Sequence, residues 1–148
     1  VGIEVAGILT LCRTAQLQTG VRGVLYLPGG RSVHTLEDDP IPPGVYFMRP
    51  DQTGRHTHFV VERVPGSRVA VPAVIDDQGR EVAPARTSVE WHLGNSLRDS
   101  RGCAMPGLAT TPHGLVDSGT AMEVMRAALH RDDPNPPAWV LEIRQVAA

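Results

Sequence analysis

The chain has 148 residues and a formal net charge of −2, a size that fits one domain, residues 1–148, with its own apolar core. Fourteen Lys and Arg against sixteen Asp and Glu leave no basic field, so neither nucleic acid nor an anionic membrane is an expected partner. No apolar run reaches the roughly 18 residues of a spanning helix, and Glu4 with no basic leader precedes the first apolar stretch, which predicts a protein without a secretion signal.

Fifteen Gly and thirteen Pro imply many turns and short elements, as in a β-rich domain. Val5 to Cys12 is apolar and β-branched enough for a first strand, and Val21 to Leu27 makes a second. The PGG at 28 to 30 reads as a tight turn leading into a third strand, Arg31 to Leu36. Cys12 then falls near a strand end, where a thiol behaves as a small hydrophobe. Cys12 and Cys103 follow no zinc-type spacing, and the spacing leaves a disulfide between them open.

Residues 35 to 46, TLEDDPIPPGVY, hold three prolines and a glycine, which forbid helix and predict a stiff loop. The acidic group Glu37, Asp38 and Asp39 reads as a solvated edge or turn acceptor rather than an acid/base group. Strands follow at Gly44 to Arg49, His58 to Val64 and Arg68 to Val74, with turns at 53 to 55 and 65 to 67. His56 and His58 are two apart and would share a strand face. With His92 they could make a zinc set, but no third ligand lies near them in sequence, and the expectation is no metal and no cofactor. Residues 75 to 86 read as a hairpin or excursion before a strand at Thr87 to Leu93. There Val89 and Trp91 alternate with Glu90 and His92, so His92 faces away from the core.

Trp91 to Gly107, WHLGNSLRDSRGCAMPG, is the stretch densest in reactive residues. A nucleophilic cysteine needs a base, positive surroundings for its thiolate and backbone N–H groups for an oxyanion. Cys103 is the candidate nucleophile, His92 the base and Asp99 the group that orients the imidazole. Arg98 and Arg101 supply positive charge, while Gly94, Asn95 and Gly102 belong to the substrate-binding loop. The bland reading is a polar loop with a buried Cys. After a TTPHG turn at 110 to 114, Thr120 and Glu123 have capping-box spacing. Ala121, Val124, Met125 and Ala128 then form an apolar helical stripe, with Met122 and Leu129 at its edges. Residues 131 to 137 end the helix, and Trp139, Leu141 and Ile143 alternate in a final strand at 138 to 145. The sequence thus predicts an α+β domain, mostly antiparallel β, with one C-terminal helix before a last strand.

The order Pro43, Gly44, Tyr46, then His92 and Gly94, then Ser100, Gly102 and Cys103 resembles the L,D-transpeptidase catalytic domain. That family is a β-rich fold that cross-links peptidoglycan through a Cys nucleophile. In it a Ser-His-Gly precedes the Cys and an apolar residue and Arg follow; here Arg101 holds the His position, and Ala104 and Met105 follow. TLEDDPIPPGVY and HLGNSLRDSRGC together also resemble a small phage- and prophage-associated domain family of unassigned function, over nearly the whole chain. These resemblances imply a phage-associated, Cys-dependent domain acting on cell-wall peptide, found in the virion or in the host cytoplasm during phage production. The alternative is a non-catalytic structural or attachment protein of the particle, partnered by other phage structural proteins.

Overall fold

Alternating apolar residues and tight turns build the first half of the wall. In the computed structural model, which describes residues 4–18, 20–51, 58–92, 94 and 104–145, β1 (Val5–Gln16), β2 (Val21–Tyr26) and β3 (Ser32–Glu37) form an antiparallel meander. β1 runs past Cys12 to Gln16 because β2 keeps pairing with it through Arg13, Ala15 and Gln16. Cys12 is therefore a mid-strand residue, with a free thiol. The turn before β3 passes through Gly29 and Gly30 at φ 78° and 74°, a left-handed geometry that glycine adopts at no steric cost.

The proline-rich segment does not hairpin back. It crosses to the other side, and β4 (Gly44–Pro50) pairs instead with β5 (Phe59–Glu62) and with the last strand. Tyr46 shows what the Pro-x-Gly-x-Tyr spacing does here. Its ring is fully buried, and its hydroxyl donates back to the Pro42 carbonyl at 2.6 Å, closing the crossover onto the strand it feeds.

Between β5 and the rest of the wall lies an excursion of small sheets. β6 (Val69–Val71) pairs with β9 (Arg86–Thr87), and β7 (Val74–Ile75) with β8 (Glu81–Ala83). Asp76 Oδ1 accepts from the amides of Gln78 and Arg80 and tightens the β7–β8 turn. The expected hairpin at 75 to 86 is thus present. The expected strands at Arg68 to Val74 and Thr87 to Leu93 are each broken. The second breaks at Ser88, whose φ of 55° separates β9 from β10 (Val89–Trp91).

β11 (Ala104–Gly107) is a strand within a stretch that reads as loop. It pairs parallel to β10 and antiparallel to β3. The hairpin β12 (Ala109–Thr111) and β13 (Gly114–Val116) follows, then α1 (Ser118–Ala128) and β14 (Ala138–Gln145). β14 lies parallel to β1 and antiparallel to β4. Eight strands close a barrel in the order β1-β14-β4-β5-β10-β11-β3-β2, which leaves its wall without a free edge. The α+β class, mostly antiparallel with one α-helix before a last strand, is what the described residues adopt.

The barrel interior is the core. Leu9, Leu11, Leu25, Met48, Phe59, Trp91 and Leu141 fill it, and Ala121, Met122, Met125 and Leu129 of the helix region join the same cluster. The buried face is thus centred on Met122 and Met125, so Met122 and Leu129 are central to it rather than at its edges. The cap lies three residues before the expected capping box. Asp117 is the N-cap, and its carboxylate accepts from the Thr120 amide and hydroxyl.

Among the acidic trio the structure corrects one expectation. Glu37 is not at a solvated edge but 5% exposed inside the barrel. Arg13 grips both its oxygens at 2.9 and 3.0 Å and donates to the Ile41 carbonyl as well, because period-2 alternation turns both side chains inward.

Candidate functional site

β10 divides the wall into two environments. Val89 and Trp91 point into the core, while Glu90 and His92 lie on the other face, as the alternation requires. The antiparallel register Trp91↔Phe59 with β5 carries on to bring His92 beside His58, and their rings stand 5.8 Å apart, tilted by 45°. Glu90 Oε2 lies 3.4 Å from His58 Nδ1.

The array continues onto two elements that are remote in sequence. Arg68 sits just before β6 and clamps both oxygens of Asp51 at 3.0 and 3.2 Å, while its Nη2 also reaches Glu90 Oε1 at 3.0 Å. Asp51 is 1% exposed. Glu90 is pushed up to about 7. Burial is the largest cause, the hydrogen bond with Asp51 and its charge add to it, and Arg68 opposes them. Two carboxyl groups thus share one guanidinium, and the outer one keeps its proton to near neutrality. The Arg68 guanidinium is itself shifted upward, chiefly by its hydrogen bond to Asp51.

A buried carboxylate fixes the loop that presents Arg68. Glu62 is fully buried and accepts from Arg49 Nε and from the amides of Gly66 and Arg68. Burial alone would raise its carboxyl, but those hydrogen bonds win and hold it below the usual carboxylate range. Arg68 is thereby held at φ 60°, a left-handed conformation uncommon for a residue with a Cβ.

Of the residues singled out from sequence, His92 and Gly94 are described. The His92 amide donates to the Ala104 carbonyl at 3.0 Å, and the Gly94 amide donates to Ser118 Oγ at 3.0 Å, at the start of α1. Cys103, Asp99, Arg98, Arg101, Asn95 and Gly102 lie outside the described residues, as does His56. Among the described residues no group of three or more His, Cys, Asp or Glu is arranged to hold a metal ion, and no helix is long and apolar enough to cross a membrane.

Inside the wall, Trp91, Glu37, Ile41 and Leu141 help line a pocket of about 20 Å³. That is room for a water molecule rather than for a substrate. Trp91 Nε1 is buried with no hydrogen-bond partner among the described residues.

Sequence reasoning missed Glu90, His58, Arg68 and Asp51 as one unit. Alternation along β10 already places Glu90 with His92. The other partners arrive through cross-strand register and a turn, which single-strand periodicity does not encode. No family model matches the chain, and neither the curated proteins nor the solved structures give a match to it.

Proposed function

We propose that this domain is a phage-associated, Cys-dependent acyltransferase or hydrolase acting on cell-wall peptide, with an L,D-transpeptidase-like chemistry. Cys103 is the nucleophile and His92 its base. Asp99 helps orient the imidazole, Arg98, Arg101, Asn95, Gly94 and Gly102 bind the substrate, and the setting is the virion or the host cytoplasm during phage production. The observation that carries the reading is the backbone hydrogen bond from the His92 amide to the Ala104 carbonyl at 3.0 Å, which brings the main chain of the candidate base beside the residue that follows the candidate nucleophile in sequence.

In the reaction His92 takes the thiol proton and the thiolate attacks a peptide carbonyl. The tetrahedral oxyanion collapses to a thioester as His92 returns the proton to the departing amine. A second amine, or water, then releases the acyl group and regenerates the thiol. The test is the rate of Cys103 alkylation by iodoacetamide near neutral pH. Fast reaction that slows in His92→Ala supports the pair, and the slow rate of an ordinary thiol in both proteins overturns it. Incubation with muropeptides followed by mass analysis then identifies the bond cut or formed.

A second reading, a non-catalytic attachment module of a phage particle, is favoured by the β7–β8 hairpin. Val74, Ile75 and Val82 stand 51%, 55% and 61% exposed on it. This reading expects unchanged muropeptides and an ordinary thiol.

A further inference from the structure

We propose that His58, held by Glu90, is the positioning partner of His92: the Asp51–Arg68–Glu90–His58 array backs the His92 ring and sets its orientation for proton transfer. The inference rests on His92 acting as the base for Cys103. It assigns a role to four residues that the cysteine chemistry does not itself require.

The array is built from a rigid foundation outward. Glu62 locks the turn that delivers Arg68, through two amide hydrogen bonds of 2.9 Å. Arg68 is then fixed on the buried Asp51 by a two-pronged contact, a geometry with more directional constraint than a single ion pair. The remaining reach of Arg68 Nη2 anchors one oxygen of Glu90 at 3.0 Å, which leaves the other oxygen aimed at His58 Nδ1 at 3.4 Å. This contact holds the Nδ1 edge of the His58 ring toward Glu90, with the donor set by the His58 tautomer and by whether Glu90 carries its proton. His58 then presents its ring to His92 across adjacent strands at 5.8 Å. Each link has one end on a different element, Asp51 after β4, Arg68 before β6, Glu90 on β10 and His58 before β5, so the array also pins the approach of the segments around His92.

A surface ion pair would not need this arrangement. Exposed pairs are solvated on both sides and contribute little, whereas here the anchoring carboxylate is 1% exposed and Glu90 keeps only 14% of its side-chain surface. Among the described residues the groups facing Glu90 are Asp51, Arg68 and His58, with the His92 ring beside that of His58. Protonation of Glu90 therefore changes the charge next to the imidazole pair.

The experiment uses the full chain and two independent readouts. The first is the pH profile of Cys103 alkylation by iodoacetamide in wild type, His92→Ala, His58→Ala, Glu90→Ala and Glu90→Gln. The second is the pH titration and tautomer of the His92 imidazole, followed by its ring nitrogen resonances, which does not depend on reactivity. His58→Ala and Glu90→Ala are expected to slow alkylation about tenfold, less than the ~10²-fold cost of misplacing a reacting group itself, and to move the His92 titration. Glu90→Gln keeps a hydrogen-bonding partner for His58 and is expected to retain most of the rate while losing the inflection contributed by Glu90 near pH 7. An activated Cys103 that depends on His92 but keeps its rate and profile in His58→Ala and Glu90→Ala overturns the positioning role and leaves the enzyme reading standing. An unactivated Cys103 in wild type overturns both. Should His58→Ala fail to fold, an unmoved His92 titration with an unchanged alkylation rate in Glu90→Ala is the overturning result.

Discussion

Arg68 and Glu90 meet at 3.0 Å, yet Glu90 still holds its proton up to about pH 7. The guanidinium is already committed to Asp51, and burial with the neighbouring Asp51 charge outweighs what attraction remains.

That balance gives a pH dependence of defined sign. The unfolded chain releases the Glu90 proton near 4.5, whereas the folded protein keeps it to about 7. Between those values the native state binds more protons, so this group's contribution to stability is fullest below 4.5 and falls as pH rises through the window. Glu90→Gln cannot ionise and lacks this loss. Relative to wild type it is expected to gain about 1–3 kcal/mol between pH 5 and pH 8, read from urea unfolding at a series of pH values. A difference between the two proteins that stays flat over that range contradicts the assignment.

The interior pair Arg13 and Glu37 behaves differently, because both side chains are almost wholly removed from water, at 2% and 6% exposure. Removing one partner strands a buried charge, so Glu37→Gln and Arg13→Met are each expected to cost about 3–5 kcal/mol. The double replacement Arg13→Met with Glu37→Leu is expected to recover most of that loss, since an apolar pair carries no desolvation penalty. Urea unfolding of the two single variants and the double variant closes the cycle, and a double variant as unstable as the sum of the singles counts against the argument.

Many of the strands were legible because alternation is a local signal, whereas their closure into a barrel was not. Val89 and Trp91 against Glu90 and His92, and Trp139, Leu141 and Ile143 in the last strand, follow from period 2 alone. β11 was not legible. Ala104, Met105, Pro106 and Gly107 are all buried, and a four-residue strand covered on both faces shows no alternation to read. The parallel pairings of β1 with β14 and β10 with β11 depend on crossovers that no spacing specifies. For the site, His92 could be picked out, since its position on β10 and its residue type are both local. Arg68 could not, since its place beside Glu90 comes from a turn fastened by the buried carboxylate of Glu62 six residues earlier, a geometry that no pattern of residue types specifies. Glu37 was misread for a related reason: a run of acidic residues reads as solvated until Arg13, twenty-four positions earlier, turns inward to meet one of them.

Asp117 closes α1 from a left-handed backbone, φ 55° and ψ 55°. Two effects therefore add in Asp117→Ala. The Thr120 amide loses its acceptor, at about 1 kcal/mol, and alanine in that conformation costs about 1–2 kcal/mol more. Asp117→Asn tolerates the backbone and keeps an acceptor, so it is expected to lose well under half as much. Thermal unfolding of the two variants checks the order, and equal losses would show that the cap contributes nothing.

Gly23 and Gly119 are expected to respond to alanine with opposite signs. Gly23 lies between Arg13 on β1 and Thr35 on β3 in register. A Cβ there would stand 2.8 Å from the Cys12 carbonyl oxygen and 2.9 Å from Thr35 Oγ1. The first neighbour is strand backbone and the second is fully buried, so neither can retreat cheaply. Gly23→Ala is expected to cost about 1–3 kcal/mol, the usual range for overpacking. It should also loosen the Arg13–Glu37 contact, because Arg13 Cα is only 3.3 Å from the same added carbon. Gly119 is exposed in the first turn of α1 with nothing within 4 Å of an added Cβ. Gly119→Ala removes backbone freedom from the unfolded chain and is expected to stabilise by about 0.5–1 kcal/mol. Urea midpoints of the two variants, measured side by side, should move in opposite directions about wild type. A destabilised Gly119→Ala would mean that the start of the helix is packed differently from the geometry described for Ser118 and Thr120.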